Sequence, residues 1–426
     1  MNCWKITASS KNLDATVNLP GSKSLSNRAL IIQKIITKSS AEPISIQNLS
    51  DADDTIIMQE ALDKTEGIID IKNAGTCLRF LTAYFAATPG SNLTLTGSKR
   101  MKERPIAGLV HALLLLGANI AYLDKQGHIP IQIKGTELSG GEIIIDAHET
   151  SQFVSALMMI APLMKTPIHI SFKGTISSIT YIEMTASLMQ EFGLDVSTQH
   201  KPNYQITITN TFSSQSPLSY EVEPDWSSAA FIYQAVALAE TAHIFMPKLS
   251  LKTKQGDCKI AEFMLNLGVH TTQQADGIFI EKSKIPMNNM PKEFNLINNP
   301  DLAPAMISAA AALGLKYKFS GLSSLKVKES NRLLNLFTEL SKLGFNITAL
   351  ENNCLKTAEP KAEIKNIEPI VIETENDHRM VMCFALLALK REYIFLSEMG
   401  SVEKSFPNFW EEMRKLGIEV ENIVNP

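Results

Sequence analysis

Two cations, Lys23 and Arg28, stand among hydroxyl and amide side chains in the stretch Pro20-Gly21-Ser22-Lys23-Ser24-Leu25-Ser26-Asn27-Arg28, which runs straight into the apolar segment Ala29-Leu30-Ile31-Ile32. The Pro-Gly turn, with Ser22 or Ser24 as a cap, predicts a helix N-terminus whose free amides and positive dipole end attract anions. Cations are disfavoured at that end of a helix. A phosphate or carboxylate ligand explains Lys23 and Arg28; a solvated basic helix start is the plainer alternative.

Comparable polar starts recur along the chain. Asn73-Ala74-Gly75-Thr76 carries a glycine that permits close backbone approach, or serves only as a turn. Lys99-Arg100-Met101-Lys102-Glu103-Arg104-Pro105 reads as a basic loop before a helix at Pro105, with Arg104 at the boundary and the other cations as readily solvated. Thr150-Ser151-Gln152 brings hydroxyls and an amide that can hold phosphate oxygens or simply cap, and Ser177-Ser178 with Tyr181 adds more hydroxyls. In the second half stand Asp301, the run Lys326-Val327-Lys328-Glu329-Ser330-Asn331-Arg332, the triplet Asp377-His378-Arg379, and Lys404. So many cations exceed the need of one small anion and fit a substrate pair carrying several negative charges. Asp301 and Glu329, embedded among them, could move protons. Taken alone, Asp301 before an Ala-rich run is most simply an N-cap.

The rest of the composition narrows the classes. The net charge is -4 over 426 residues, so nothing global points to nucleic acid or an anionic membrane as a partner. The five cysteines are scattered with no metal-ligand spacing and no C-x-x-C pair, which predicts a reducing, cytoplasmic setting and no bound metal. No apolar stretch reaches the length of a membrane span, and the first residues lack a signal-peptide core. Neither a phosphate-binding G-x-x-x-x-G-K-[ST] loop nor a nucleophile with an oxyanion-hole motif is present.

These polar starts sit on a repeat. A Leu-Gly or Phe-Gly pair closing a helix recurs at Gly117, Gly193, Gly268, Gly344 and Gly417, 73 to 76 residues apart, where a left-handed residue ends each helix. Asp225, Asp301 and Asp377 open a second set of helices at intervals of 76 residues, and these helices are apolar nearly all round, as buried ones are. With a shorter first copy over Ser22 to Lys64, six copies are expected, each reading strand, buried helix, strand, amphipathic helix, strands. They divide three and three. The expected lobes are 21–223, and 1–20 with 224–426, with crossings at Pro20-Gly21 and around Phe212 to Pro224. Parallel buried helices would gather their polar N-termini on one face of each lobe, making a cation-lined cleft where the faces oppose.

Taken together, Pro20 to Arg28, Asn73 to Thr76, Met101 to Pro105, Val327 to Arg332 and Asn376-Asp377-His378-Arg379-Met380 resemble 5-enolpyruvylshikimate-3-phosphate (EPSP) synthases over essentially the whole chain. The resemblance implies an α/β, two-lobed fold of six βαβαββ units under pseudo-threefold symmetry. It implies transfer of the enolpyruvyl group of phosphoenolpyruvate to the 5-hydroxyl of shikimate-3-phosphate, releasing phosphate, in a cytoplasmic monomer that needs no cofactor. On the same ground Lys23, Ser24, Arg28, Thr150, Ser151, Gln152, Ser178, Asp301, Ser324 and Lys328 are expected on shikimate-3-phosphate. Lys23, Asn73, Gly75, Arg104, Gln152, Arg332, Arg379 and Lys404 are expected on phosphoenolpyruvate. Asp301 matches the proton acceptor for the 5-hydroxyl, and Glu329, with Lys23 alongside, the group that exchanges a proton with the methylene carbon. Gly75 is expected to make room for phosphoenolpyruvate, where the family also binds glyphosate. The chain departs from the pattern at Thr150, at Ile179-Thr180 and at Ser324. The related enolpyruvyl transfer to UDP-N-acetylglucosamine uses a loop cysteine near Arg100 to Arg104, and no cysteine lies between Cys77 and Cys258. A non-catalytic anion-binding repeat protein would have no need of Asp301 and Glu329.

Overall fold

The computed structural model describes residues 2–37, 44–146, 150–201, 203–212, 219–284, 293–359 and 369–424. The chain divides into two compact units, Met1–Pro20 with Glu223–Pro426, and Gly21–Val222. Glu223 therefore belongs to the unit opposite to the one expected, for a local reason. Its carboxylate accepts from Thr253 Oγ1, Lys254 N and Gln255 Nε2, all in the later half of the chain. The expected serine-rich crossing ahead of Pro217 falls almost entirely outside the described residues.

Each unit holds three sheets, matching the six expected repeats; among the described residues five are four-stranded and one is two-stranded. In the unit from Gly21, Glu66–Asp70 runs parallel to Asn92–Thr96, followed by antiparallel Ile131–Lys134 and Asn119–Tyr122. Gly141–Asp146, Ile168–Lys173, Gln205–Phe212 and Leu194–Gln199 repeat that order. In the other unit it recurs in Glu293–Asn295, Lys318–Ser320, Cys354–Ala358 and Asn346–Leu350. Two sheets reveal how the chain crosses. Asn12–Thr16 precedes the first buried helix in sequence but pairs with Thr241–Pro247, whereas Ser219–Glu221, just before the fourth buried helix, pairs with Ser45–Gln47. The two crossings thus exchange first strands. Asn2–Ala8 completes the last sheet between Ile394–Leu396 and Ile418–Val424.

The buried helices are Lys23–Thr37, Gly75–Ala86, Ser151–Ile160, Trp226–Leu238, Ala303–Ala312 and His378–Ala385. Their apolar character drives them into the two cores, one around Trp226, Phe231 and Tyr233, the other around Phe80, Phe85 and Phe192. Every residue of Trp226–Leu238 is buried except Ser227. The helices of the other set end as predicted, with Gly117, Gly193, Gly268, Gly344 and Gly417 all in the left-handed region at φ 73° to 96°. One expectation fails locally. Lys99–Glu103 is a short helix rather than a loop, because Ser98 accepts from Met101 N and Arg100 pairs with Glu103 at 3.0 Å, and the next helix begins at Ala107.

Candidate active site

In the unit containing Asp301, the turns Pro300–Leu302 and Gly400–Lys404 and the starts of helices Arg332–Lys342 and His378–Ala385 bring together three carboxylates and four cations. Arg332 is the hub. Its side chain is 1 % exposed, and its guanidinium donates to Asp377 Oδ2 at 2.7 Å and Oδ1 at 3.1 Å, to Glu329 Oε2 at 2.8 Å and to Asp301 Oδ1 at 3.1 Å. Such a fork matches planar carboxylates as a lysine could not.

Asp301 collects cations on both oxygens: Lys328 Nζ at 3.2 Å and Arg332 on Oδ1, Arg379 at 3.3 Å on Oδ2. Burial alone would raise its pKa, but Arg379, Lys328 and Arg332 outweigh that and hold it well below the ordinary carboxylate range. The capping reading of Asp301 does not hold. The helix Ala303–Ala312 is preceded by Leu302 without a side-chain cap, and the proline at its second position, Pro304, lacks the amide a cap would serve.

Glu329 is held by Arg332 at 2.8 Å and by Lys404 Nζ at 2.9 Å. Arg379 also donates to the Asp301 carbonyl at 3.3 Å and to Ser227 Oγ at 3.0 Å. Ser324 lies half-buried in the turn Ser323–Val327. With four cations around three carboxylates, the group keeps one excess positive charge, suited to an anion.

The unit containing Lys23 carries the other predicted set. Ser22 caps weakly, its Oγ 3.5 Å from Leu25 N, and Lys23 opens the helix with its Nζ 3.3 Å from Asp54 Oδ2 on the neighbouring helix Asp53–Leu62. Arg28 lies beneath that start, buried over the Phe80 ring, donating to Thr185 Oγ1 at 2.7 Å, Ser155 Oγ at 3.2 Å and the Ser24 carbonyl at 2.8 Å. Burial, partly countered by the interaction with Tyr181, draws its pKa down to about 10, so it remains charged near neutrality. Thr150 caps the helix Ser151–Ile160 by accepting from Gln152 N, and Gln152 Nε2 reaches Thr76 Oγ1 at 3.3 Å, joining two of the predicted helix starts. Ser178 sits buried at φ 55° ahead of Ile179–Glu191, a conformation an L-residue adopts at a cost.

Asn73 Oδ1 accepts from Ser98 Oγ, tying the Gly75 start to the basic segment. Gly75 packs directly against Arg104. The space its missing Cβ leaves is taken by Arg104, since a Cβ there would lie 2.6 Å from NH1 and 3.1 Å from NH2 and Cζ. Behind them Arg79, buried, donates to the carbonyls of Gly75 and Pro105 at 3.1 Å each.

The family model of EPSP synthase (3-phosphoshikimate 1-carboxyvinyltransferase) matches residues 7–67 and 62–413. A 3-phosphoshikimate 1-carboxyvinyltransferase from Bacteroides fragilis is 39% identical over 408 residues, 96% of each chain. The chain belongs to the EPSP synthase family. A family member from Haemophilus influenzae is 33% identical over 95% of this chain and 96% of its own. Among solved structures, an EPSP synthase from Acinetobacter baumannii superposes with TM-score 0.75 at 21% identity over the whole of both chains. The enolpyruvyl transferase NikO from Streptomyces tendae gives 0.71 at 14% identity over 100% of this chain and 99% of that one. Both show that the fold is the one this family uses.

Two residues escape the family's motifs and one exceeds its reading: Asp54 pairs with Lys23, Ser227 bonds Arg379, and Asp377 clamps Arg332 besides capping its own helix through Arg379 N. The equal spacing of Asp225, Asp301 and Asp377 is the signal that points to the last two. No comparable signal marks Asp54. Among the described residues no group of His, Cys, Asp or Glu is arranged to hold a metal ion, and no helix is long and apolar enough to cross a membrane.

Proposed function

We propose that the chain transfers the enolpyruvyl group of phosphoenolpyruvate to the 5-hydroxyl of shikimate-3-phosphate. The observation that carries the reading is Asp301. In a chain of this family, the carboxylate at a repeated capping position is withdrawn from capping and held, still ionised, among three cations.

Asp301 is assigned the proton of the 5-hydroxyl. In the free protein its depressed pKa makes it a weak base, which suits a resting site. Anionic phosphoenolpyruvate engaging Arg379, Arg332 and Lys404 offsets those cations and raises the proton affinity of Asp301 when it is needed; Arg104 and Asn73 are assigned to the same substrate. The hydroxyl oxygen then bonds to the middle carbon of phosphoenolpyruvate while the methylene carbon takes a proton through Glu329, with Lys23 assisting. The tetrahedral adduct loses a methyl proton back to Glu329 as the bond to the phosphate oxygen breaks, giving the enol ether and inorganic phosphate. Lys23, Ser24, Arg28, Thr150, Ser151, Gln152 and Ser178, with Ser324 and Lys328, are assigned to shikimate-3-phosphate. Helix-start amides and hydroxyls beside the partly buried Lys23 support a phosphate there.

Five cysteines without a disulfide partner support a reducing, cytoplasmic setting. Phosphate release measured with shikimate-3-phosphate and phosphoenolpyruvate tests the function. Release only when UDP-N-acetylglucosamine replaces shikimate-3-phosphate, or no release with either acceptor, would overturn it.

A further inference from the structure

Ser227, Ala303 and Arg379 each stand two residues beyond one of the repeated aspartates Asp225, Asp301 and Asp377. Two of these equivalent residues meet directly: Ser227 Oγ accepts from Arg379 NH2 at 3.0 Å. The same hydroxyl donates to Asp225 Oδ2 at 2.9 Å. Asp225 is a buried carboxylate that forms no ion pair among the described residues. Its oxygen is answered instead by Ser228 N at 3.2 Å, Ser228 Oγ at 2.7 Å and Ser227. Ser227 is also the one residue of Trp226–Leu238 that is not buried, so its hydroxyl is not there to fill the core.

A hydroxyl that donates to a carboxylate becomes a better acceptor, and bonds to a charged donor gain most from such polarisation. Two of the tethers on Arg379 differ in kind. The bonds to Asp301, at 3.3 Å to its carbonyl and 3.3 Å to Oδ2, are long, and they join Arg379 to the carboxylate assigned as a base. The bond to Ser227 is shorter, and it ties Arg379 to a helix packed into the core.

We propose that Ser227 is a positioning residue for the reaction, holding the Arg379 guanidinium at a fixed place by passing it the charge of buried Asp225. This rests on the reading that Arg379 binds phosphoenolpyruvate. Ala303, at the third equivalent position, offers no such hydroxyl, so the tether is specific to one of the three repeats.

The test is a double-mutant cycle. Ser227→Ala, which keeps helix propensity at a half-exposed site, is expected to raise the Michaelis constant for phosphoenolpyruvate about ten- to a hundredfold, the range for losing a hydrogen bond to a charged group. Turnover and the constant for shikimate-3-phosphate are expected to move far less, and Ser227→Thr, which keeps the hydroxyl, to recover most of the loss. In an Arg379→Ala background Ser227→Ala is expected to add nothing. Additive effects, or an unchanged constant in Ser227→Ala while Arg379→Ala raises it, would overturn the proposal. If Arg379→Ala itself leaves the constant unchanged, the phosphoenolpyruvate assignment fails instead. Nitrogen relaxation of the Arg379 guanidinium then still decides on the tether, since the side chain is expected to become mobile in Ser227→Ala and no change would refute it.

Discussion

Asp301 and Asp377 stand 76 residues apart at equivalent places in successive repeats, and Arg332 donates to both, yet only Asp377 caps a helix. The difference is local. Asp377 accepts from Arg379 N in the ordinary way, whereas Asp301 lies inside the tight turn Pro300–Leu302 ahead of a helix whose second residue is proline. The Asp301 carboxylate faces cations. The same repeat position thus yields one group that positions and one that is available for chemistry.

Asp377→Asn should separate these roles. Asparagine still caps well, so the helix start survives, but the buried Arg332 loses its bidentate partner at 2.7 Å. Removing one member of a buried ion pair costs about 3–5 kcal/mol, and the remaining bonds to Asp301 and Glu329 put the expectation at the low end of that range. Denaturant unfolding checks it. A stability loss well under about 1 kcal/mol, the size of an exposed pair, would mean that Asp377 is not the main anchor of Arg332.

Asp301→Asn and Glu329→Gln should instead act on turnover. Each is expected to lose about 10² to 10⁴ in kcat, the usual contribution of a positioned acid or base. Both variants should bind shikimate-3-phosphate by calorimetry with little change, because the hydroxyl and helix-start groups assigned to its phosphate lie in the other unit. If Asp301→Asn keeps more than about a tenth of the wild-type kcat, the carboxylate is not the base.

How much of this was legible beforehand differs from residue to residue. The Gly-closed helices and the spacing of Asp225, Asp301 and Asp377 follow from chain-local rules, capping and left-handed backbone, and repetition amplifies weak signals of that kind. The six sheets could be counted for the same reason. Which oxygen Arg332 takes is a matter of rotamers and of three segments meeting, and no spacing encodes that. Lys328 and Glu329 are neighbours in sequence, but consecutive side chains diverge, and Lys328 reaches Asp301 while Lys404, 75 residues on, reaches Glu329. The strand exchange at the two crossings was equally hidden, since a strand's pattern names its faces and not its partner.

The depressed pKa of Asp301 carries a pH signature in stability. In the unfolded chain an aspartate titrates near 3.9, while in the folded chain Arg379, Lys328 and Arg332 overcome burial and keep it ionised well below that. Below about pH 4 the unfolded state therefore binds the proton first, and stability contributed by this group is present above that pH and lost as pH falls toward the folded value. Unfolding free energies measured at pH 6, 4 and 3, values chosen to bracket the model aspartate, should fall less steeply with acid in Asp301→Asn than in the wild type. Parallel slopes would show that the cations do not hold Asp301 as described.

Gly75→Ala should act through Arg104. The added methyl would stand 2.6 Å from NH1 of a buried guanidinium, closer than real Cβ contacts come, so the far end of Arg104 has to move. The helix start itself is not the obstacle, because alanine suits the first turn of Gly75–Ala86 and the nearest atoms belong to that one flexible side chain. A displaced Arg104 weakens its grip on a phosphoenolpyruvate anion, and a rise of about tenfold in the Michaelis constant corresponds to about 1.4 kcal/mol of lost interaction. Glyphosate, if it competes for the same place, should weaken in parallel, while shikimate-3-phosphate binding stays. Arg104→Lys supplies the discriminating background, since its single ammonium lacks the NH1 and NH2 fork that the methyl meets. There Gly75→Ala should cost much less than it does in the wild type. If the cost is the same in both backgrounds, the methyl meets the ligand itself and Gly75 makes room for substrate rather than for Arg104.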